Sequence, residues 1–172
     1  MTTNPVREAL LGLNVKQSIK IESDIDSIDY FDLAVGPLKL GLQINESSQS
    51  LGGIFTIGMV GTKNDAESFV PNFLNQFDGL PIGPFLISLS PDEVGCLVYN
   101  HFRVAFHGSV TESQLLRELE QQTILASMIL ISLAQKNLLL YPDSQTLDKY
   151  QLNIDQPLYR NVAESGQLLR AV

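Results

Sequence analysis

Between Leu38 and Asn45 the chain alternates strictly: Leu38, Leu40, Leu42 and Ile44 are apolar, while Lys39, Gly41, Gln43 and Asn45 are polar or small. A period of two sets the four aliphatic side chains on one face, which predicts a strand with one buried side. The run ESSQSLGG at 46–53 has the composition of a turn, and IFTIGMVG after it predicts the returning antiparallel strand. Upstream, Val15, Ile19 and Ile21 and then DLAVG bring the expectation to three or four strands before residue 61. Asn4 and Pro5 have the form of a helix N-cap and first helical residue, with Val6, Ala9, Leu10 and Leu13 at helical spacing behind them.

From residue 64 the period changes. Ala66, Phe69, Val70, Phe73, Leu74 and Phe77 form one helical stripe, Asn64 with Glu67 resembles a capping box, and Pro71 is expected to bend that helix or postpone its start. DGLPIGP breaks the chain, and Phe85–Ser90 and Cys96–Phe106 predict two strands joined by a turn. In the second, Cys96, Val98, Phe102, Val104 and Phe106 share the core face, and Tyr99, His101, Arg103 and His107 share the other.

Thr111 with Gln114, or Ser109 with Glu112, opens a helix predicted to run to about Asn137. Leu115, Leu116, Leu119, Thr123, Ala126, Leu130, Leu133 and Ala134 make a continuous stripe along it. Beyond residue 123 the opposite side turns apolar as well, through Ile124, Leu125, Met128 and Ile131. One face lies on the sheet, and the second needs another cover. Lipid is disfavoured, because a span takes about 20 mainly apolar residues and Gln121–Gln135 is shorter and carries Gln, Ser and Thr. Two covers remain open: a homodimer seam, or a tail helix starting at Asp155-Gln156-Pro157 whose Leu158, Val162, Ser165, Leu169 and Val172 line up.

Composition narrows the classes. At 172 residues with 44% apolar and 17% charged, the chain is expected to fold as one domain with a tail. Nineteen acids against eleven Lys and Arg give a net charge of -8, which repels phosphate backbones and makes nucleic acid a poor partner. The single Cys96 and the absence of a signal-like apolar core near the N-terminus point to a cytoplasmic location.

The predicted order is α-β-β-β-α-β-β-α plus a C-terminal tail helix, an α+β fold with an antiparallel sheet of five or six strands packed against helices. With FVPNFLNQF, LPIGPFLIS, CLVYNHFRVAFHG and SVTESQLLRELEQQ in their places, the chain resembles the YbjN-like proteins, labelled sensory transduction regulators, and the class I type III secretion chaperones. It is also similar to uncharacterised cyanobacterial proteins of this fold. The resemblance covers Phe69 to about Leu139. It implies a secretion chaperone-like domain over 1–140, an extension over 141–172 docked on that domain or on a dimer partner, and a non-enzymatic protein that often dimerises and binds segments of other proteins.

Chemistry-bearing residues are few. Cys96 points opposite to His101 and His107, which stand ~20 Å apart along a strand, so neither a shared metal site nor a thiol–imidazole pair is expected. No glycine pattern follows a strand and opens a helix, so no cofactor is implied. ESDIDSIDYFD sets Glu22, Asp24, Asp26, Asp29 and Asp32 in one stretch without a base. It lacks the spacing of a calcium loop, leaving a plain acidic surface, a dock for a basic partner segment, or a cation site. The reading favoured is a protein-binding module, chaperone-like or a regulatory adaptor. Its partner surface would combine Ile124, Leu125, Met128 and Ile131 with Glu22, Asp24, Asp26, Asp29 and Asp32. The alternative is a small-molecule-binding or enzyme-accessory domain with a pocket between sheet and helices.

Overall fold

The alternating stretch at Leu38 is the second strand of a six-stranded antiparallel sheet. The computed structural model describes residues 4–23, 29–77 and 85–149. In order these form α1 (Pro5–Val15), β1 (Tyr30–Val35), β2 (Leu38–Asn45), β3 (Ser50–Val60), α2 (Lys63–Asn75), β4 (Leu86–Pro91), β5 (Cys96–Ala105), α3 (Glu112–Gln135), β6 (Leu139–Tyr141) and α4 (Ser144–Lys149). The fold is α+β, in the predicted order, with β6 and α4 added. The proposed helix from Asp155 and its stripe lie outside the described residues, as do Asp24 and Asp26.

Three of the caps can be compared with their sequence signals. Asn4 accepts from the backbone N–H groups of Val6 and Arg7, and Pro5 opens α1. Thr111 and Gln114 form a complete capping box, each side chain bonded to the other's backbone N–H. At α2 the cap is Thr62, whose hydroxyl accepts from Asp65 N–H, and not Asn64. Thr62 holds the extended backbone that a cap requires, and Asn64 is already inside the first turn. Pro71 neither postpones nor ends α2, which continues to Asn75. α3 stops at Gln135, two residues short of Asn137, because Asn137 turns left-handed (φ 55°) and Leu138 N–H bonds back to the Leu133 carbonyl.

The strands run β1-β2-β3-β5-β4 across the sheet. β6 takes the remainder of one edge of β3: β2 pairs with Ser50–Thr56, and beyond it Met59 and Val60 pair with Tyr141 and Leu139. Gly58 permits this return, since a Cβ there would lie 2.4 Å from the Tyr141 carbonyl oxygen. A bulge between Thr56 and Gly58 leaves Ile57 and Gly58 both buried.

One face of the sheet carries Phe31, Leu33, Val35, Leu38, Leu40, Leu42, Ile44, Phe55, Val98 and Phe102, all buried, and the helices pack against it. α1 lies beside the first part of α3, where Lys16 pairs with Glu112 next to Gly12. α2 lies toward its other end, where Lys136 stands 5.7 Å from the ring centre of Phe69. Phe69, Phe73, Phe77 and Phe85 form an aromatic cluster around Phe73, with contacting ring centroids about 5 Å apart.

The second apolar face of α3 corrects an expectation. Met128 and Ile131 are each 1% exposed, and every residue from Ala126 to Ala134 is buried. Ile124 and Leu125 are half-buried against the same core. Strands β3 and β5 and helices α1 and α2 pack against α3, which a helical wheel cannot show. Met128 and Ile131 are therefore core residues within the single chain. The boundary expected at residue 140 falls inside β6, and Leu147 of α4, 3% exposed, belongs to the same core.

Candidate functional site

Among the described residues the helices pack on one face of the sheet, and the other face carries exposed and half-buried side chains. Paired residues of antiparallel strands share a face, so register alone arranges this open side into rows. The first row runs Tyr141–Met59–Leu97–Ser90 across β6, β3, β5 and β4. The second runs Lys39–Thr56–Tyr99–Ser88, and the third Asp32–Gly41–Ile54–His101–Leu86.

Over β3, β5, β4 and β6 these rows contain no carboxylate. They hold Ile54 (45% exposed), Leu86 (52%) and Tyr141 (58%), with half-buried Met59, Leu97, Tyr99 and His101 between them. Apolar side chains exposed on this face of the sheet make it the candidate contact surface. Sequence reasoning places Tyr99 and His101 on the solvent side, but not the alignment of Ile54 and Leu86 with them. That alignment comes from β3–β5 pairing across 47 residues of chain, from Ile54 to His101.

Over β1 and β2 the same face is polar and acidic. Glu22 N–H donates to the Asp32 carbonyl (2.7 Å), Asp32 N–H donates to the Ser23 hydroxyl (2.9 Å), and Ile44 N–H donates to the Asp29 carbonyl (3.0 Å). These bonds pin both described ends of the acidic stretch to the sheet edge. Glu22 and Asp32 thereby line one open groove of about 500 Å³ with Ser23, Lys39, Gly41, Ile54 and Thr56. Gly41 is its floor. Asp29 is exposed near the start of β1, and among the described residues neither Glu22 nor Asp32 is in an ion pair.

The two parts of the expected partner surface are thus separated. The acidic residues that are described stand on the open side, whereas Met128 and Ile131 lie in the core on the helical side. The apolar component beside the acids is Ile54 and its row neighbours. β-Alternation at 50–60 hides it, because Gly52, Ile54 and Thr56 read as a weak polar face with one aliphatic interruption.

Two further polar groupings lie on or near this face. Ser88 and His101 are hydrogen-bonded through Oγ and Nε2. The carboxylate in the row of His101 is Asp32, three strands from the imidazole. Arg103 donates to the Ser48 and Ser50 hydroxyls, covering Ser50, which is 1% exposed. A second open groove, between α1 and the start of α3, is bordered by Glu8, Lys16, Thr111 and Glu112. Among the described residues no group of three or more potential metal ligands comes together, and no helix is long and apolar enough to cross a membrane.

No protein-family model and no curated protein sequence matches the chain. Among solved structures it is similar to that of YbjN from E. coli, a proposed transcription regulator. The two share 10% identity over 77% of this chain and 94% of the other, with a TM-score of 0.57. At that identity the likeness concerns architecture, and the fold of this chain is YbjN-like.

Proposed function

We propose that the chain is a non-enzymatic protein-binding module, chaperone-like or a regulatory adaptor, that receives a segment of another protein on the open face of its sheet. The observation carrying this reading is the division of that face into an apolar, carboxylate-free half and an acidic half, with Ile54 at the border. A sheet face with no contact to make has no need of Ile54, Leu86 and Tyr141 exposed along rows otherwise filled by Met59, Leu97 and Tyr99. The likeness to YbjN, whose proposed role is transcription regulation, is compatible with an adaptor. The net charge of -8 makes direct nucleic-acid contact unfavourable, so regulation would pass through a protein.

The test is site-specific photo-crosslinking in the native cell, with the photoreactive residue at Ile54 or, as a control on the helical side, at Val15, which is 81% exposed. The expected result is a discrete protein adduct from position 54 that disappears in a Leu86→Ser, Leu97→Ser background that remains folded by circular dichroism. Equal adducts from both positions would overturn the reading.

A further inference from the structure

The open face also constrains what its partner looks like. β3 uses both backbone edges, toward β2 and β6 on one side and β5 on the other. A segment lying over β3 and β5 therefore finds no free sheet groups and must satisfy its own backbone, which an α-helix does. The three rows spread about 13 Å along the strands, close to the ~10.5–12 Å between helix positions i, i+4 and i+7 or i+8. Met59 and Leu97, then Tyr99, then Ile54 supply three successive apolar footholds.

On one side of that track lies the groove floored by Gly41. Asp32 stands two strands from Ile54, about 9.6 Å, with a residue lacking a side chain between them. A Lys or Arg stem on the flank of a helix resting on Ile54 spans this gap, with its methylenes along Ile54 and Gly41 and its cation beside Asp32 and Glu22. Among the described residues Lys39 is the single cation lining the groove, against two carboxylates. Resting on the reading above, we infer that the partner segment is an amphipathic helix whose apolar stripe covers Met59, Leu97, Tyr99 and Ile54 and whose one flank carries Lys or Arg, seated in the groove between Ile54 and Asp32.

The groove can be closed without disturbing the fold. Among the described residues a Cβ at Gly41 meets only Asp32 Oδ1, at 3.7 Å, an ordinary contact, and its φ lies outside the left-handed region. Valine is favoured in strands, so Gly41→Val folds and fills the floor. The probes are two labelled 14-residue helical peptides with the same leucine stripe, one carrying lysines along a flank and the other glutamates. By fluorescence anisotropy with the full chain at 0.1 M salt, the lysine peptide binds at least about tenfold tighter than the glutamate peptide, a preference that fades toward 1 M salt. Gly41→Val weakens the lysine peptide about tenfold. Glu22→Gln with Asp32→Asn weakens it about three- to fivefold, as for two exposed ion pairs.

Equal binding of both peptides, untouched by Gly41→Val but weakened by Ile54→Ser, would overturn the basic helix and leave the open-face reading standing. Binding of neither peptide at millimolar concentration, or binding that ignores Ile54→Ser, would overturn both. A dimer in sedimentation that Ile54→Ser dissociates, without peptide binding, would assign the face to a second copy and overturn the inference.

Discussion

The two faces of this sheet are made by the same strands, residue by alternate residue, yet they are built by different rules. On the helical side Phe31, Leu40, Phe55 and Val98 are fully enclosed and packed on three helices. On the open side their immediate neighbours Asp32, Gly41, Ile54 and Tyr99 face water. The first face is chosen for volume, since each side chain there is held on all sides by others. The second is chosen for what lies next to what: a carboxylate beside a glycine beside an isoleucine. Stability resides on the first face, and the proposed recognition would take place on the second. Substitutions one residue apart should therefore give opposite phenotypes.

The largest effect is expected from Met128→Glu. If Met128 were an exposed seam, the change would separate copies and leave the fold intact. Because it is enclosed, it forces a carboxylate into the core, and the expectation is a loss of about 4 kcal/mol or more, seen as an unfolded or barely folded chain by circular dichroism. A folded monomer with native melting behaviour would break the assignment of this helix to the interior.

Next in size is the neighbouring pair on β3. Phe55→Ala removes a fully buried ring and should cost about 3–5 kcal/mol in urea unfolding. Ile54→Ser, at a side chain 45% exposed on the open face, should cost no more than about 1 kcal/mol while weakening partner capture. Similar costs for both would erase the distinction between the faces.

A smaller effect tests the core face by addition. A Cβ at Gly53 would lie 2.1 Å from the Phe102 ring, so Gly53→Ala must displace that ring, at about 1–3 kcal/mol. Gly41→Val, one strand away on the open face, should not lower the melting temperature.

The smallest concerns the end of the described chain. Asp143 accepts from the Thr146 backbone N–H (2.8 Å) and hydroxyl (2.7 Å), and these bonds, the backbone one first, hold its carboxyl below the ordinary aspartate value. A depressed folded pKa means that the bonds' stabilisation is present above the unfolded pKa and is lost as pH falls through the folded one. Hydrogen exchange at Leu147 should therefore quicken in the acid range below the usual aspartate pKa, with the bulk of the sheet unchanged. Asp143→Asn, able to accept through its amide oxygen, should flatten that dependence.

Much of the fold was legible in local pattern. The 38–45 alternation, the Asn4-Pro5 and Thr111–Gln114 caps and the two faces of the strand from Cys96 depend on residues a few positions apart, where periods of 2 and 3.6 and hydrogen bonds from side chain to backbone act directly. The apolar character of both sides of α3 after residue 123 was also plain in the sequence. What covers the second side was not, because that depends on how α1, α2 and the strands β3 and β5 gather around the helix.

The candidate site illustrates the same limit. Glu22 and Asp32 already belong to one acidic run in the sequence, but their meeting with Gly41 and Ile54 in one groove required β1 to pair with β2 and β2 with β3 in a particular register. A shift of one residue would turn Ile54 inward and Phe55 outward. By itself, then, the sequence determined which residues share a helix stripe or a strand face. Strand order, register and the side on which the helices settle decided which of those faces became core and which remained open, because those choices are made by contacts between residues distant in the chain.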